Sequence, residues 1–321
     1  MIPAYRIAAA GESAAHDGPD YKKFIARKCG MATSEIGRLD RQFRIGEQVC
    51  VADRGGSAIV TISTPACHAE IALQGAQVLS WRPNGQADVL WCSPISPAGT
   101  GKPIRGGVPV CWPWFGPHPT DSSQPQHGLV RIPDWRLRET AVTSAGVRIA
   151  FAHETFDCAL SLTALLGARL TICLAARNLG DASMLITEAL HTYFHVGDNA
   201  CVAIHGLDGC RYRDNTDSGR EKLQHGPCST AREIIALFDV TPDHCEIEDP
   251  RFGRRIRVER QGGQSTIVWH PGASAGTFKD IPPGGEKNFV CVESGNIGAS
   301  AITLEPGGTH RLQVSYEVAA L

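Results

Sequence analysis

The chain has 321 residues, 42% of them hydrophobic and 20% charged, with 34 glycines and 20 prolines. That balance supplies a sizeable core and excludes a wholly disordered or fibrous chain. A formal net charge of −2 excludes a global pull toward nucleic acid or anionic lipid, so any anion site has to be local.

Residues 1–41 read as an N-terminal extension, small and polar with little periodicity, expected to be disordered or partly helical. Its opening lacks a continuous apolar core and soon carries Glu12 and Asp17, which argues against an export signal. The 12 cysteines include no CxxC pair. Several, such as Cys173 and Cys291, sit in apolar runs where a thiol behaves as a small hydrophobe. Reduced thiols in a cytoplasmic protein are therefore expected, and no zinc-ligand spacing is present.

Residues 42–321 predict one all-β domain, a large antiparallel two-sheet sandwich. The segments "SAIVTIST", "AEIALQG", "AQVLSWRP", "GVRIAFAHE", "ALSLTALL", "ARLTICLAARN", "MLITEALHTYFHV", "ACVAIHGL", "STIVWHP", "NFVCVES" and "RLQVSYEV" are β-branched or alternate with period two, and Gly, Pro, Asn or Asp close them. The longest apolar stretch, Ala159 to Ala176, is broken by Gly167 and Arg169 and alternates like strands. It is not a membrane span.

Five segments carry candidate chemistry. In "KPIRGGVPVCWPWFGPHPTD" prolines and glycines constrain the path and hold Arg105, whose guanidinium can fork onto a phosphate or carboxylate. The same arginine could instead stack on Trp112 or Trp114, or pair with an internal acid. In "QHGLVRIPDW" an extended chain would turn His127 and Arg131 to one face. In "TEALHTYFHVGDN" His191 and His195 share a strand face with Phe194 opposite, and one imidazole able to give a proton is a simpler reading than a metal pair. In "KNFVCVESGN" Glu293 ends an apolar run, where desolvation would raise its pKa and make it a better base. The segment "LDGCRYRDNTD" reads as a polar turn whose acids, Asp208, Asp214 and Asp217, offer oxygens to a polyhydroxylated ligand.

Taken in chain order, "GAQVLSWRPNG", "KPIRGGVPVCWPWFG", "QHGLVR", "LHTYFHVGD", "GLDGCRYRD", "TIVWHP" and "FVCVES" together resemble the D-hexose-6-phosphate mutarotase family of the galactose-mutarotase-like sandwiches. The resemblance runs from about residue 42 to the C-terminus. It implies a glucose-6-phosphate 1-epimerase that interconverts the α and β anomers of a hexose 6-phosphate without cofactor or metal. By that resemblance His191 and Glu293 are acid and base, Arg105 and Arg131 hold phosphate, and His127, Asp214 and Gln77 lie on the sugar. The partner is a small sugar phosphate, and a monomer is expected. Two departures bear on substrate preference: Ile235 stands where the family carries an acid, and "WHP" with His270 replaces "WNP". An aldose 1-epimerase of unphosphorylated sugar and a non-catalytic carbohydrate-binding module are the alternatives.

Overall fold

Alternation in the sequence becomes burial in the sheet. In the strand Cys158–Leu166 the side chains of Cys158, Leu160, Leu162, Ala164 and Leu166 all point inward, and Gly146–Thr155 and Leu170–Asn178 flank it in antiparallel register. The computed structural model, which describes residues 31–155 and 157–321, continues this ladder into a nine-stranded antiparallel sheet. Its other half includes Thr309–Ala320, Arg254–Gln261 and His244–Asp249.

A second sheet of eight strands carries the chemistry. It runs from Arg220–Leu223 through Arg211–Asp214, Ile234–Phe238, Ser265–His270 and Phe289–Asn296 to Glu188–Leu190 and Val110–Cys111, with Tyr193–His195 also paired to Phe289–Asn296. One core cluster takes Ala236, Val268, Val290 and Val292 from this sheet and Leu162, Ile256, Leu312 and Val314 from the other. The Thr192 and Tyr316 hydroxyls lie 2.6 Å apart, and Phe194 meets Tyr316 edge-on, so the two sheets are bridged beside the HTYF segment. The expected two-sheet sandwich is the fold observed, with a four-stranded sheet between Val49 and Pro83 in addition.

The helix Thr33–Phe43 fits the expectation of a partly helical start and spans the boundary expected at residue 41; it sends Ile36 and Phe43 into the main core and accepts the Val51 N–H at Asp40 Oδ1, 2.7 Å away. Residues 1–30 of the expected extension lie outside the described residues. "LDGCRYRDNTD" is not a solvated turn: Arg211–Asp214 is a strand of the eight-stranded sheet. "MLITEALHTYFHV" is not one strand but three short ones, Met184–Ile186, Glu188–Leu190 and Tyr193–His195. Among the described residues all eleven cysteines are free, and no helix is long and apolar enough to cross a membrane.

Candidate active site

The strand Phe289–Asn296 is buried at every position. Val290 and Val292 face the core between the sheets, so by alternation Phe289, Cys291 and Glu293 face the other way. That outer face is covered too. Phe289 and Cys291 pack with Trp91, Tyr193 and Ile281, while Ile267 and Leu237, in the same cross-strand row as Glu293, pack with Cys111, Ala189 and Ile297. A carboxyl group is thereby set into apolar surroundings, with Glu293 only 1% exposed.

His191 reaches it from the break between two short strands. Its N–H donates to the Pro109 carbonyl at 2.9 Å, and Tyr193 N–H donates to the Gly107 carbonyl at 2.9 Å, so the RGGVP loop and the HTY segment are zipped together. The imidazole stacks on Tyr193 with ring centres 4.9 Å apart, and its Nε2 lies 3.4 Å from Glu293 Oε1. Neither His191 Nδ1 nor Glu293 Oε2 meets a protein partner among the described residues. Buried polar atoms left without partners are rare and point to a ligand's place.

The electrostatics of this pair differ from the simple assignment of carboxylate and imidazolium. Burial pushes the His191 pKa down to about 3, with the Arg131 and Arg105 guanidinium charges acting in the same direction. Burial holds Glu293 well above the ordinary carboxyl range, and the opposing pull of Arg131 does not reverse it. Both groups therefore favour their uncharged forms in the free protein.

The glycines of the RGG motif are required by close approach. Gly106 and Gly107 have φ of 111° and 60°, and a Cβ on Gly106 would sit 2.4 Å from Cys92 Cα, one on Gly107 2.2 Å from the Val78 carbonyl oxygen. Only a chain with no side chains there can lie so deep against its neighbours. Arg105 is then presented half-buried. Its Nε donates to Asp280 Oδ2 at 3.0 Å and its Nη1 to Tyr193 Oη at 2.9 Å, with the guanidinium 5.3 Å from the Phe278 ring centre. Neither Trp112 nor Trp114 is the stacking partner. Burial alone would weaken its charge, but Tyr193 and Asp280 more than offset that and raise its pKa.

Arg131 and His127 come close without an extended strand. Residues 126–134 form turns and bends, and His127 takes a positive φ of 65°, so the even spacing is not what aligns them. His127 Nδ1 accepts the Gly116 N–H at 3.2 Å, which leaves Nε2 to carry the proton of the neutral ring. Burial, Arg131 and His191 all hold His127 well below its usual pKa. Its ring lies edge-on to His191, 5.4 Å between centres. Arg131 Nη2 donates to the Gln126 carbonyl at 2.5 Å, and among the described residues no carboxylate pairs with it. Its charge is near enough to shift His127, His191 and Glu293 alike.

Two expected site residues take other positions. Gln77 is buried, and its Nε2 donates to the Gly106 carbonyl at 2.7 Å and the Ile104 carbonyl at 3.3 Å. It braces the Arg105 loop from behind. Asp214 pairs with Lys222 at 2.7 Å and caps Thr216, and its register with Ala236 and Val268 turns it to the opposite face of the sheet from Glu293. The structure does not bring it to the pair. His195 also stays apart, its ring against Phe252 and its Nδ1 3.2 Å from the Asp88 carbonyl oxygen. Among the described residues no three His, Cys, Asp or Glu side chains are arranged to hold a metal. Ile235 and His270 line a depression of about 930 Å³ together with Arg232, Glu233 and Lys287, and none of the expected site residues lines it. His270 is fully engaged there, to the Glu286 carbonyl oxygen at 2.9 Å and the Gly272 N–H at 3.2 Å.

Sequence reasoning missed Tyr193, Phe278 and Asp280. Tyr193 was within reach, two residues from His191 and so on its face. Asp280 meets Arg105 across 175 residues of sequence, and no local signal marks it.

The chain is similar to known proteins in sequence and in fold. The profile of the family described as aldose 1-epimerase matches residues 58–317. A protein of Escherichia coli (strain K12) provisionally named a glucose-6-phosphate 1-epimerase is 35% identical over 247 residues, covering 74% of this chain and 82% of that one. A Salmonella typhimurium crystal structure provisionally titled a mutarotase superposes with a TM-score of 0.81 at 30% identity, covering 87% of this chain and 96% of that one. A galactose mutarotase-like protein from Clostridium acetobutylicum, 12% identical, shares the fold with a TM-score of 0.67 over 86% of this chain and the whole of its own.

Proposed function

Since the chain belongs to the aldose 1-epimerase family, we propose that it interconverts the α and β anomers of a hexose 6-phosphate, with glucose 6-phosphate as the first candidate. The observation that carries the reading is the buried His191–Glu293 contact, each group keeping one atom without a partner among the described residues, with Arg105 and Arg131 close enough to act on its charge. The provisional names of the Escherichia coli and Salmonella typhimurium relatives support the phosphorylated substrate.

Anomerisation opens the pyranose ring, turns the new carbonyl and closes the ring on its other face. A base takes the O1 proton while an acid protonates the ring oxygen. A pair that holds one proton between a carboxyl and an imidazole supplies both functions, and closure returns the proton to its starting partner. In the free protein, with both groups uncharged, that proton rests on the Glu293 carboxyl. As the sugar enters, its hydroxyls give Glu293 Oε2 and the imidazole the partners they lack, favouring the carboxylate that receives the O1 proton and the imidazolium that donates to the ring oxygen. His127, with its proton on Nε2, offers a further donor beside them.

Positioned proton transfer is worth about 10² to 10⁴ in rate, enough for a reaction that already proceeds unaided. The guanidinium groups anchor the phosphate, so that C1 can turn while the molecule stays bound. The test is anomer exchange of glucose 6-phosphate followed by NMR for the wild type, Glu293→Gln and Arg131→Ala. Loss of exchange in the first variant and a raised KM in the second support the proposal. Exchange at the wild-type rate in Glu293→Gln would defeat the acid–base assignment. An unchanged KM in Arg131→Ala, with equal activity on glucose, would favour the epimerase of unphosphorylated sugar.

A further inference from the structure

The two cations of the anchor are unequal. Arg105 already meets a carboxylate, Asp280, at 3.0 Å and a phenol, Tyr193, at 2.9 Å. Arg131 gives one hydrogen bond to a main-chain carbonyl and pairs with no carboxylate among the described residues. A guanidinium has five N–H donors, so Arg105 retains three after these two bonds and can still meet a phosphate. Any phosphate bound there shares its cation with a carboxylate, and the two anions repel.

Contacts other than Asp280 also place Arg105. The Arg105 N–H donates to Ser96 Oγ at 2.9 Å, Gln77 braces the carbonyls on either side, and Tyr193 and Phe278 hold the side chain. What Asp280 adds to these contacts is one more hydrogen bond and a negative charge. It sits between the 3-10 turns Gly272–Thr277 and Gly285–Asn288, next to the buried Ile281, with its side chain 35% exposed.

We propose that Asp280 sets how tightly the site holds a phosphorylated sugar: it is an internal counter-anion that stands in for phosphate on Arg105 in the free enzyme and opposes phosphate in the complex. The inference rests on the phosphate-anchor reading above. Substrate, transition state and product carry the same phosphate, so a tighter grip on it lowers KM without speeding the chemistry and slows departure. Asp280 limits that grip. A carboxylate that merely oriented Arg105 would have the opposite effect, since its loss would weaken phosphate binding.

Asp280→Asn retains the shape and one acceptor and removes the charge. Inorganic phosphate binding is measured by calorimetry, and KM by exchange of glucose 6-phosphate, for the wild type, Asp280→Asn and Asp280→Glu, with Asp280→Ser as a second charge-free variant. Asp280→Asn should bind phosphate about tenfold tighter at low ionic strength, with the gain shrinking as salt is added, and should lower KM in parallel. Asp280→Glu should stay near the wild type. Phosphate binding that is unchanged or weaker in both charge-free variants overturns the inference while leaving the anchor intact, provided the wild type binds phosphate and exchanges the sugar phosphate. A wild type that does neither removes the anchor reading, and this inference with it.

Discussion

Two carboxyl–imidazole pairs draw their acids from the same eight-stranded sheet, and they behave in opposite ways. Glu188 and Glu293 are equally buried, each 1% exposed, and each has a histidine beside it. In the Glu188–His310 pair the contact is 2.9 Å, and Asn296 completes it by donating to Glu188 Oε1 at 3.1 Å and to the Gly262 carbonyl at 2.9 Å. The hydrogen bond to Glu188 raises the His310 pKa. In the Glu293–His191 pair the contact is 3.4 Å, the outer atoms have no partner among the described residues, and burial with two nearby guanidinium groups drives His191 the other way. Residue type and burial of the acid are the same in both, so what distinguishes the two pairs is the satisfaction of the remaining atoms and, at His191, the neighbouring positive charge.

The comparison is broken most sharply at Glu293. Glu293→Gln should lower the exchange rate by about 10² to 10⁴ while the circular dichroism spectrum and melting stay close to wild type, whereas Glu188→Gln should leave kcat nearly untouched. A smaller effect separates the anchor from the pair: Arg131→Ala should raise KM for the sugar phosphate by about ten- to hundredfold through loss of a charged hydrogen-bond donor, with kcat less affected, as read from initial exchange rates. Stability should respond in the reverse order. Glu188→Gln leaves buried partners imperfectly matched and should cost about 1 to 3 kcal/mol in urea unfolding, more than Glu293→Gln does.

The smallest effect is in pH. His310, its folded pKa raised above the unfolded value near 6.5, contributes stability that is fully present below that value and lost as pH rises through the folded pKa. His191 has its folded pKa lowered to about 3, so its contribution is present above about pH 6.5 and lost as pH falls toward 3. Melting curves across pH should therefore show His310→Asn losing the decline on the alkaline side and His191→Asn losing part of the decline on the acid side. Identical pH profiles for the two variants would show that the pairs are not opposed.

Much of the sandwich was legible from single segments. "ALSLTALL" and "GVRIAFAHE" become strands because their alternation matches a sheet with one face on a core. Several strands that escaped carry charge along their length. In Arg254–Gln261 the buried positions include Arg254 itself, 2% exposed and donating to the carbonyls of Ala87, Asp88 and His195, and no pattern of apolar residues announces that. The same limit applied to Asp214: "RYRD" contains an acid in a suitable segment, but the strand's register gives it to Lys222.

What the sequence by itself determined is the set of local forms: period-two strands, a loop that only glycines at 106 and 107 permit, and an imidazole and a carboxyl each placed at the end of an apolar run. Those are decided by sterics and by solvent affinity, which act between near neighbours along the chain. The tertiary structure alone decided that His191 meets Glu293, that Gln77 braces a loop, and that Asp280 reaches Arg105. Such meetings are set by strand order and register, and by which charges end up a few ångströms apart in a medium too dry to screen them.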